Sequence, residues 1–135
     1  MQVNSEQFVS EYAEALTSFD VKKVAGLYLL PTIIMSDQGK TVMTTEKELT
    51  VTLTQMLDYF KKAGVMKFVP TLQQTMRLSD TLFFSKLHWQ FFDENNKLCF
   101  GYSTSYTLQK MPDGKLQIIV MVIDDEKART IHLHE

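Results

Sequence analysis

The sequence predicts an α+β domain in which three N-terminal helices pack on a curved antiparallel sheet. Two observations carry this prediction. Apolar residues recur with a helical period in the first half of the chain, and they alternate with a period of two from Lys67 onward. The chain has 135 residues, of which 44% are hydrophobic, and a domain of this size can bury a core without disulfides or a metal. We expect one domain over residues 1–124, followed by a tail at 125–135.

Each predicted helix begins at a residue that can cap it. Asn4 precedes the first helix and Asp20 precedes a short second helix, which must end before Pro31 because the residue before a proline avoids the helical region. Thr45 and Glu48 have the spacing of a capping box at the start of the longest helix. The apolar stripes expected to face the core are Phe8, Tyr12, Leu16 and Phe19 in the first helix and Leu49, Leu53, Met56, Leu57 and Phe60 in the longest.

Six strands are expected, two of them short. They are predicted at Thr32–Ser36, Thr41–Thr44, Phe68–Leu78, Thr81–Phe92, Leu98–Lys110 and Lys115–Asp124. The last four are joined by short turns that cannot cross over a sheet, so neighbouring strands should be antiparallel. Pairing about the turn Asn95-Asn96 places the large apolar side chains on one face. That inner face holds Phe83, Ser85, Leu87, Trp89 and Phe91 opposite Phe100, Tyr102, Thr104, Tyr106 and Leu108.

The last predicted strand is apolar on both faces. One side carries Leu116, Ile118, Val120 and Val122, and the other carries Ile119, Met121 and Ile123. A strand of this kind has to be covered twice, and the helices can cover only one side. The sequence therefore predicts a homodimer through the outer face of the sheet. A C-terminal tail that folds back over the strand is the alternative that the sequence leaves open.

Charge and composition narrow the classes of partner. The net charge of −2 gives no electrostatic reason to expect nucleic acid or an anionic membrane surface. No apolar run approaches the roughly 20 residues of a membrane helix. The single cysteine, Cys99, favours a reducing compartment, and the cytoplasm is expected. No glycine-rich phosphate loop, Cys-x-x-Cys pair or nucleophile elbow occurs in the sequence. We therefore expect no metal and no cofactor.

One stretch of the first half carries a family resemblance. Tyr12 is followed by Ala15-Leu16, Phe19-Asp20, Val24 and Leu27-Tyr28, which looks like the helix, acidic cap and second helix that open ketosteroid isomerase. The chain resembles the nuclear transport factor 2-like (SnoaL-like) superfamily over nearly its whole length. This resemblance implies a cystatin-like cone, or α+β barrel, that encloses a pocket between helices and sheet.

The resemblance also implies candidate catalytic residues. Tyr12 falls where the isomerase places a tyrosine that donates to the developing oxyanion, and Tyr106 falls where a neutral aspartic acid is the second donor. Ser36, and not an aspartate, takes the place of the proton-shuttling base, with Asp37 one residue later. The catalytic candidates are therefore Tyr12, Asp37 and Tyr106. The residues leave a second interpretation open, in which both tyrosines are core aromatics and Asp37 forms a turn.

The pocket implied by the fold would be lined mostly by apolar side chains. The candidate ligand-binding residues are Leu16, Tyr28, Phe60, Trp89 and Tyr102. The leading hypothesis is a protein that binds a small, mostly apolar molecule. The alternative is a cofactor-free isomerase, cyclase or hydratase that uses acid–base chemistry in the same pocket. Arg77 could pair with a substrate carboxylate, although a surface strand position explains it equally well.

Overall fold

The computed structural model describes residues 4–124. In chain order its elements are α1 (Ser5–Ser18), α2 (Val21–Ala25), β1 (Tyr28–Ser36), β2 (Gly39–Met43), α3 (Glu46–Lys62), β3 (Lys67–Arg77), β4 (Leu82–Phe92), β5 (Leu98–Lys110) and β6 (Leu116–Asp124). The six strands form one curved sheet in the order β2-β1-β6-β5-β4-β3. The predicted α+β fold is confirmed, and the predicted tail at 125–135 lies outside the described residues.

The three predicted helix caps are present. The side chain of Asn4 accepts a hydrogen bond from the backbone N–H of Gln7, and Asp20 accepts one from Lys22. Thr45 and Glu48 form the complete capping box, in which each side chain accepts from the other residue's backbone N–H. These bonds satisfy N–H groups that the first turn of a helix leaves unpaired. They explain why each helix begins at the residue that the sequence indicates.

Strand β1 begins earlier than the sequence predicts. Helix α2 ends at Ala25, with Gly26 as its C-cap, and β1 begins at Tyr28 rather than at Thr32. The carbonyl of Leu27 accepts a hydrogen bond from the backbone N–H of Ile118 at 2.8 Å. This bond to β6 places the chain around Leu27 and Tyr28 at the edge of β6, where it continues as a strand. The pairing of β1 with β6 is parallel, whereas the other neighbours are antiparallel. A parallel partner distant in sequence leaves no turn signal from which to predict it.

The register of the long hairpin is the predicted one. Trp89 pairs with Tyr102 and Ser85 pairs with Tyr106 about the turn that contains Asn96, and Asn96 has a positive φ of 61°. The inner face of this hairpin is covered by the helices. Its centre includes Trp89, which is only 2% exposed.

The side chains of the last strand do not keep to the two faces that regular alternation predicts, because β6 contains a bulge. The pairing with β5 shifts between Thr107 and Leu108, because Thr107 pairs with Val120 while Leu108 pairs with Ile118. Ile119 is therefore an extra residue in β6, and such a residue reverses the faces of those that follow. Leu116, Ile118 and Met121 all reach the core. Val120 and Val122 are left on the outer face.

The outer face of the sheet carries a row of mostly apolar residues. Direct pairing aligns one residue from every strand, and the row comprises Val42, Ile33, Val120, Thr107, Phe84 and Met76. None of these six side chains is charged. Val42 is 51% exposed and Met76 is 46% exposed. We call this set the outer row.

Strands β5 and β4 approach each other closely at Gly101. A Cβ atom on Gly101 would lie 2.7 Å from the carbonyl oxygen of Trp89, closer than a side chain tolerates. Glycine in a strand interior marks this kind of close approach. The curvature leaves a concave inner face, and the helices close most of it. None of the helices in residues 4–124 combines the length and apolar character needed to cross a bilayer.

Candidate functional site

An open cleft lies where the helices leave the concave face uncovered. Its volume is about 480 Å³, within the range of roughly 300–1,000 Å³ for small-molecule pockets. The residues that line it are Ser36, Gln38, Met56, Tyr59, Phe60, Cys99, Phe100, Gly101, Tyr102 and Ile123. We call this site the α3–β5 cleft. None of its lining residues within 4–124 carries a charge.

Aromatic rings form much of the cleft wall. The rings of Phe60 and Phe100 are stacked with centroids 6.2 Å apart and planes 13° from parallel. Tyr59 meets Phe100 edge to face at 5.8 Å. On the inner side, Tyr102 packs edge to face against Phe91 with a centroid distance of 5.0 Å. These contacts hold the wall in a fixed arrangement, and aromatic faces and edges suit a planar ligand.

The inner face of β5 runs from the cleft into the closed core. Side chains that alternate along a strand share a face. Phe100 and Tyr102 line the cleft, whereas the next two on the same face, Thr104 and Tyr106, are 2% and 1% exposed. Tyr102 is thus the last residue of this row that lines the cleft. Beyond it the space between helices and sheet is filled by side chains.

The closed core contains a cluster of phenol groups. The hydroxyl oxygens of Tyr12 and Tyr28 lie 2.6 Å apart, so one donates a hydrogen bond to the other. The indole N–H of Trp89 donates to the hydroxyl of Thr104 at 2.9 Å and to that of Tyr106 at 3.3 Å. We call Tyr12, Tyr28 and Tyr106 the tyrosine cluster. It is fully buried, and its polar atoms are satisfied from within the protein.

Burial keeps these phenols protonated. Desolvation raises the pKa of Tyr106 to about 12, against hydrogen bonds from Thr104, Trp89 and Tyr12 that favour the phenolate. Desolvation likewise raises the pKa values of Tyr12 and Tyr28 above the ordinary phenol value. At neutral pH the tyrosine cluster therefore consists of neutral hydrogen-bond donors.

The candidate catalytic residues are separated in the structure. Tyr12 and Tyr106 both belong to the tyrosine cluster, where their hydroxyls engage protein groups. Asp37 is exposed in the turn between β1 and β2, while Ser36 lines the α3–β5 cleft. Within residues 4–124 the buried polar side chains are Thr32, Ser85, Ser103 and Thr104, and none is a carboxylate. The same part of the chain contains no group of His, Cys, Asp and Glu side chains placed to hold a metal ion.

The five candidate ligand-binding residues divide between the cleft and the core behind it. Phe60 and Tyr102 line the α3–β5 cleft. Leu16, Tyr28 and Trp89 lie in the core, with exposures of 3%, 4% and 2%. The two sets are adjacent because Tyr102 is the register partner of Trp89 on β4.

Several cleft residues have no candidate role in the sequence analysis. They are Gln38, Met56, Tyr59, Cys99, Phe100, Gly101 and Ile123. The strand alternation that selects Tyr102 also places Phe100 on the inner face, and the stripe of α3 includes Met56, so both could have been found. Cys99 and Ile123 reach the cleft through irregular pairing, since Cys99 is an extra residue between the pairs Phe91–Phe100 and Phe92–Leu98.

A larger groove of about 880 Å³ lies at the other end of β5, near Lys110 and the first turn of α1. It is lined in part by charged side chains. Arg77, a candidate partner for a substrate carboxylate, forms an ion pair with Asp80 there. The side chain of Arg77 is 63% exposed, and exposed pairs of this kind contribute little stability. The groove is wide open and lacks the aromatic walls of the α3–β5 cleft.

Comparison with known families and structures agrees with the fold. The family model described as NTF2-like protein (DUF6841) matches residues 3–126, and the chain therefore belongs to this NTF2-like family. Among curated proteins, none matches the sequence.

Solved structures share the architecture at low sequence identity. A domain of unknown function with a cystatin-like fold from Nostoc punctiforme has a TM-score of 0.72 and 14% identity, covering 93% of this chain and 80% of that one. An NTF-2 like protein of unknown function from Shewanella oneidensis has a TM-score of 0.70 and 15% identity, with coverage of 89% and 95%. A ketosteroid isomerase-like protein from Erwinia carotovora atroseptica has a TM-score of 0.65 and 14% identity, with coverage of 88% and 91%. These likenesses define the fold.

Proposed function

We propose that this protein binds a small, uncharged, mostly apolar molecule in the α3–β5 cleft. The observation that carries the proposal is the lining of the cleft, in which ring faces and edges from Tyr59, Phe60, Phe100 and Tyr102 surround a space of about 480 Å³. Pockets that bind small molecules combine an apolar wall with a few polar groups that fix orientation. Here Ser36 and Gln38 supply polar groups at the β1–β2 end of the cleft.

The described residues that line the cleft are all uncharged, which argues for an uncharged ligand. An ion moved from water into this site would lose hydration without gaining a countercharge, which is unfavourable. A neutral aromatic or alicyclic molecule would instead bury apolar surface against the rings, at roughly 25 cal/mol for each Å² removed from water. The cleft therefore favours neutral ligands over anions of the same shape.

Isothermal titration calorimetry with two probes of matched shape tests this proposal. We expect the neutral probe 2-naphthol to bind and the anion 2-naphthoate to bind much more weakly. Met56→Glu places a charge in the cleft and should abolish binding of 2-naphthol. Gln55→Glu adds the same charge at an exposed neighbouring position on α3 and should leave binding intact. Equal binding of both probes, or loss of binding in both variants, would contradict the proposal.

A second candidate function is acid–base catalysis without a cofactor, as an isomerase, cyclase or hydratase. The tyrosine cluster favours it, because buried neutral phenols can donate hydrogen bonds to a developing oxyanion. The position of Asp37 disfavours it, because this candidate base is exposed in a turn and Ser36 is the residue that lines the cleft. Binding without catalysis is therefore our leading proposal.

Proton exchange on a neutral ketone separates the two functions. 2-Tetralone has acidic protons next to its carbonyl, and their replacement by deuterium can be followed by proton NMR. A catalyst would accelerate the exchange and would lose that activity in Tyr12→Phe and Asp37→Asn. We expect 2-tetralone to bind without acceleration. Acceleration that depends on Tyr12 or Asp37 would favour the enzymatic function.

We also propose that the protein is a homodimer through the outer face of the sheet. The outer row spans all six strands without a charged side chain, and Val122 in the adjacent row is 39% exposed. A twofold interface brings the same patch of two subunits together, so one apolar row can cover the other. The alternative cover, the tail at 125–135, lies outside the described residues.

The free thiol of Cys99 is consistent with the expected cytoplasmic location.

Light scattering at micromolar concentration tests the dimer. We expect the mass of a dimer for the wild-type protein and of a monomer for Val122→Lys, because the new charges would be buried against each other. Thr54→Lys, at an exposed position on α3, should remain dimeric. A monomeric wild-type protein, or a dimeric Val122→Lys, would refute this interface.

A further inference from the structure

We propose that Tyr102 sets the depth of the α3–β5 cleft and so selects short ligands over longer ones. This inference rests on the proposed small-molecule site and adds the residue that determines its specificity. Tyr102 stands at the boundary between the open cleft and the closed core. Its side chain is only half-buried, whereas the phenols of the tyrosine cluster are all less than 5% exposed.

The placement of Tyr102 follows from the alternation of β5. Along the inner face of this strand, Phe100 and Tyr102 line the cleft, and Thr104 is the first residue that does not. Strand β6 shows the same change, because Ile123 lines the cleft and Met121 is 3% exposed. The change on β6 falls one residue pair further along, because Ile123 pairs with Thr104 and Met121 pairs with Tyr106. Of the two residues that end the cleft lining on these strands, Tyr102 and Ile123, Tyr102 has the bulkier side chain.

Hydrogen-bonding side chains lie on the core side of Tyr102, whereas the aromatic walls of the α3–β5 cleft lie on its other side. Trp89, its register partner, donates its indole N–H to Thr104 and Tyr106. A ligand that passed the position of Tyr102 would therefore meet polar donors, whereas a ligand stopped by Tyr102 meets the aromatic walls of the cleft.

Removal of the Tyr102 ring should extend the cleft inwards. In Tyr102→Ala, the space vacated by the ring joins the α3–β5 cleft to the region bordered by Trp89 and Thr104. A longer uncharged phenol would then gain contacts that the wild-type protein denies it. A short phenol would gain none, because it already fits in front of Tyr102.

Calorimetric dissociation constants for 2-naphthol and the longer 4-benzyloxyphenol test the inference. We expect the wild-type protein to prefer 2-naphthol and Tyr102→Ala to shift the ratio of the two constants towards 4-benzyloxyphenol by about tenfold, the scale on which pockets discriminate by a few apolar atoms. Tyr59→Ala removes an equal ring from the exposed mouth of the cleft and should weaken the binding of both phenols alike, so that the ratio of the two constants stays unchanged. Tyr102→Phe, which keeps the ring, should also retain the wild-type ratio.

These measurements distinguish a failure of the role of Tyr102 from a failure of the proposed binding site. If 2-naphthol binds but Tyr102→Ala leaves the ratio unchanged, or Tyr59→Ala shifts it equally, the role of Tyr102 is refuted and the binding site stands. If neither probe binds the wild-type protein, the proposed function fails and the inference with it. Circular dichroism checks that each variant folds. Should Tyr102→Ala fail to fold, Tyr102→Leu provides a shorter side chain and should shift the ratio in the same direction.

Discussion

The hydroxyl oxygens of Tyr12 and Tyr28 lie 2.6 Å apart in the closed core, where the two residues join helix α1 to strand β1. Both side chains are buried, with exposures of 2% and 4%. The hydroxyl of Tyr28 also donates to the sulfur of Met121 at 3.7 Å, and a thioether sulfur is a weaker acceptor than an oxygen. This bond satisfies two polar groups that would otherwise be costly in an apolar environment, and it fixes the first helix over the sheet.

Removal of one hydroxyl from this pair should destabilise the protein. In Tyr12→Phe the hydroxyl of Tyr28 loses its oxygen acceptor or donor, and a buried group left without a partner costs about 1–3 kcal/mol. Urea unfolding followed by the fluorescence of Trp89 measures the loss. Tyr59→Phe, at a side chain that is 60% exposed, is the control and should change the free energy of unfolding by less than about 0.5 kcal/mol.

The double variant tests the pairing itself. Tyr12→Phe combined with Tyr28→Phe removes both partners, so no orphaned hydroxyl of the pair remains. The loss of stability should therefore be smaller than the sum of the two single losses. Strictly additive losses would show that the two hydroxyls do not depend on each other.

Alkaline pH should unfold the protein through the tyrosine cluster. The pKa of Tyr106 is raised to about 12 in the folded protein, whereas a phenol in the unfolded chain ionises near pH 10. Between these values the unfolded state binds fewer protons, so stability falls as pH rises, by about 1 kcal/mol per pH unit for each such phenol. Below about pH 10 these phenols contribute no pH dependence, because they are protonated in both states.

Urea denaturation at a series of alkaline pH values checks this expectation. The slope of stability against pH should be smaller in Tyr106→Phe than in the wild-type protein, because one of the contributing phenols is gone. Near-ultraviolet absorbance of phenolate should rise together with the loss of structure. An unchanged slope in Tyr106→Phe would contradict the assignment of this residue to the transition.

Gly101 should tolerate no side chain without a shift of the backbone. A Cβ at this position would lie 2.7 Å from the carbonyl oxygen of Trp89, so we expect Gly101→Ala to cost about 1–3 kcal/mol, as overpacking does. Gly26→Ala is a matched control because its Cβ would meet only ordinary contacts, at 3.5 Å and 3.6 Å. Thermal unfolding compares the two variants. Equal melting temperatures would show that the close approach of β5 to the carbonyl of Trp89 does not require glycine.

Much of the fold is predictable from local sequence signals. The capping residues Asn4, Asp20 and Thr45 fix where the helices begin, because each satisfies N–H groups of its own first turn. The turn at Asn95-Asn96 fixes the register that pairs Trp89 with Tyr102. These are interactions between residues close in sequence, and their chemistry can be read without the rest of the chain.

The remaining features depend on contacts between distant parts of the chain. Ile119 is the extra residue in β6, and only the pairing with β5 identifies it. Residues 118–123 are all apolar, so the sequence does not show where the alternation changes face. The early start of β1 at Tyr28 depends on β6 in the same way. The sequence identifies both Tyr12 and Tyr28 as candidate site residues, but the bond between them exists only because β1 begins at Tyr28. The alternation of β5 brings Tyr102 into the cleft, whereas the extent of the open space depends on how far the helices cover the sheet.

Chemical-shift mapping of the complex with 2-naphthol would locate the bound ligand on the protein. Backbone amides of a labelled sample should shift on titration at the α3–β5 cleft, with the largest changes around Met56, Phe100, Tyr102 and Ile123. The larger groove near Arg77 and Lys110 should be unaffected. Shifts centred on that groove, or no localised shifts at concentrations that saturate the calorimetric signal, would contradict the assignment of the α3–β5 cleft as the ligand site.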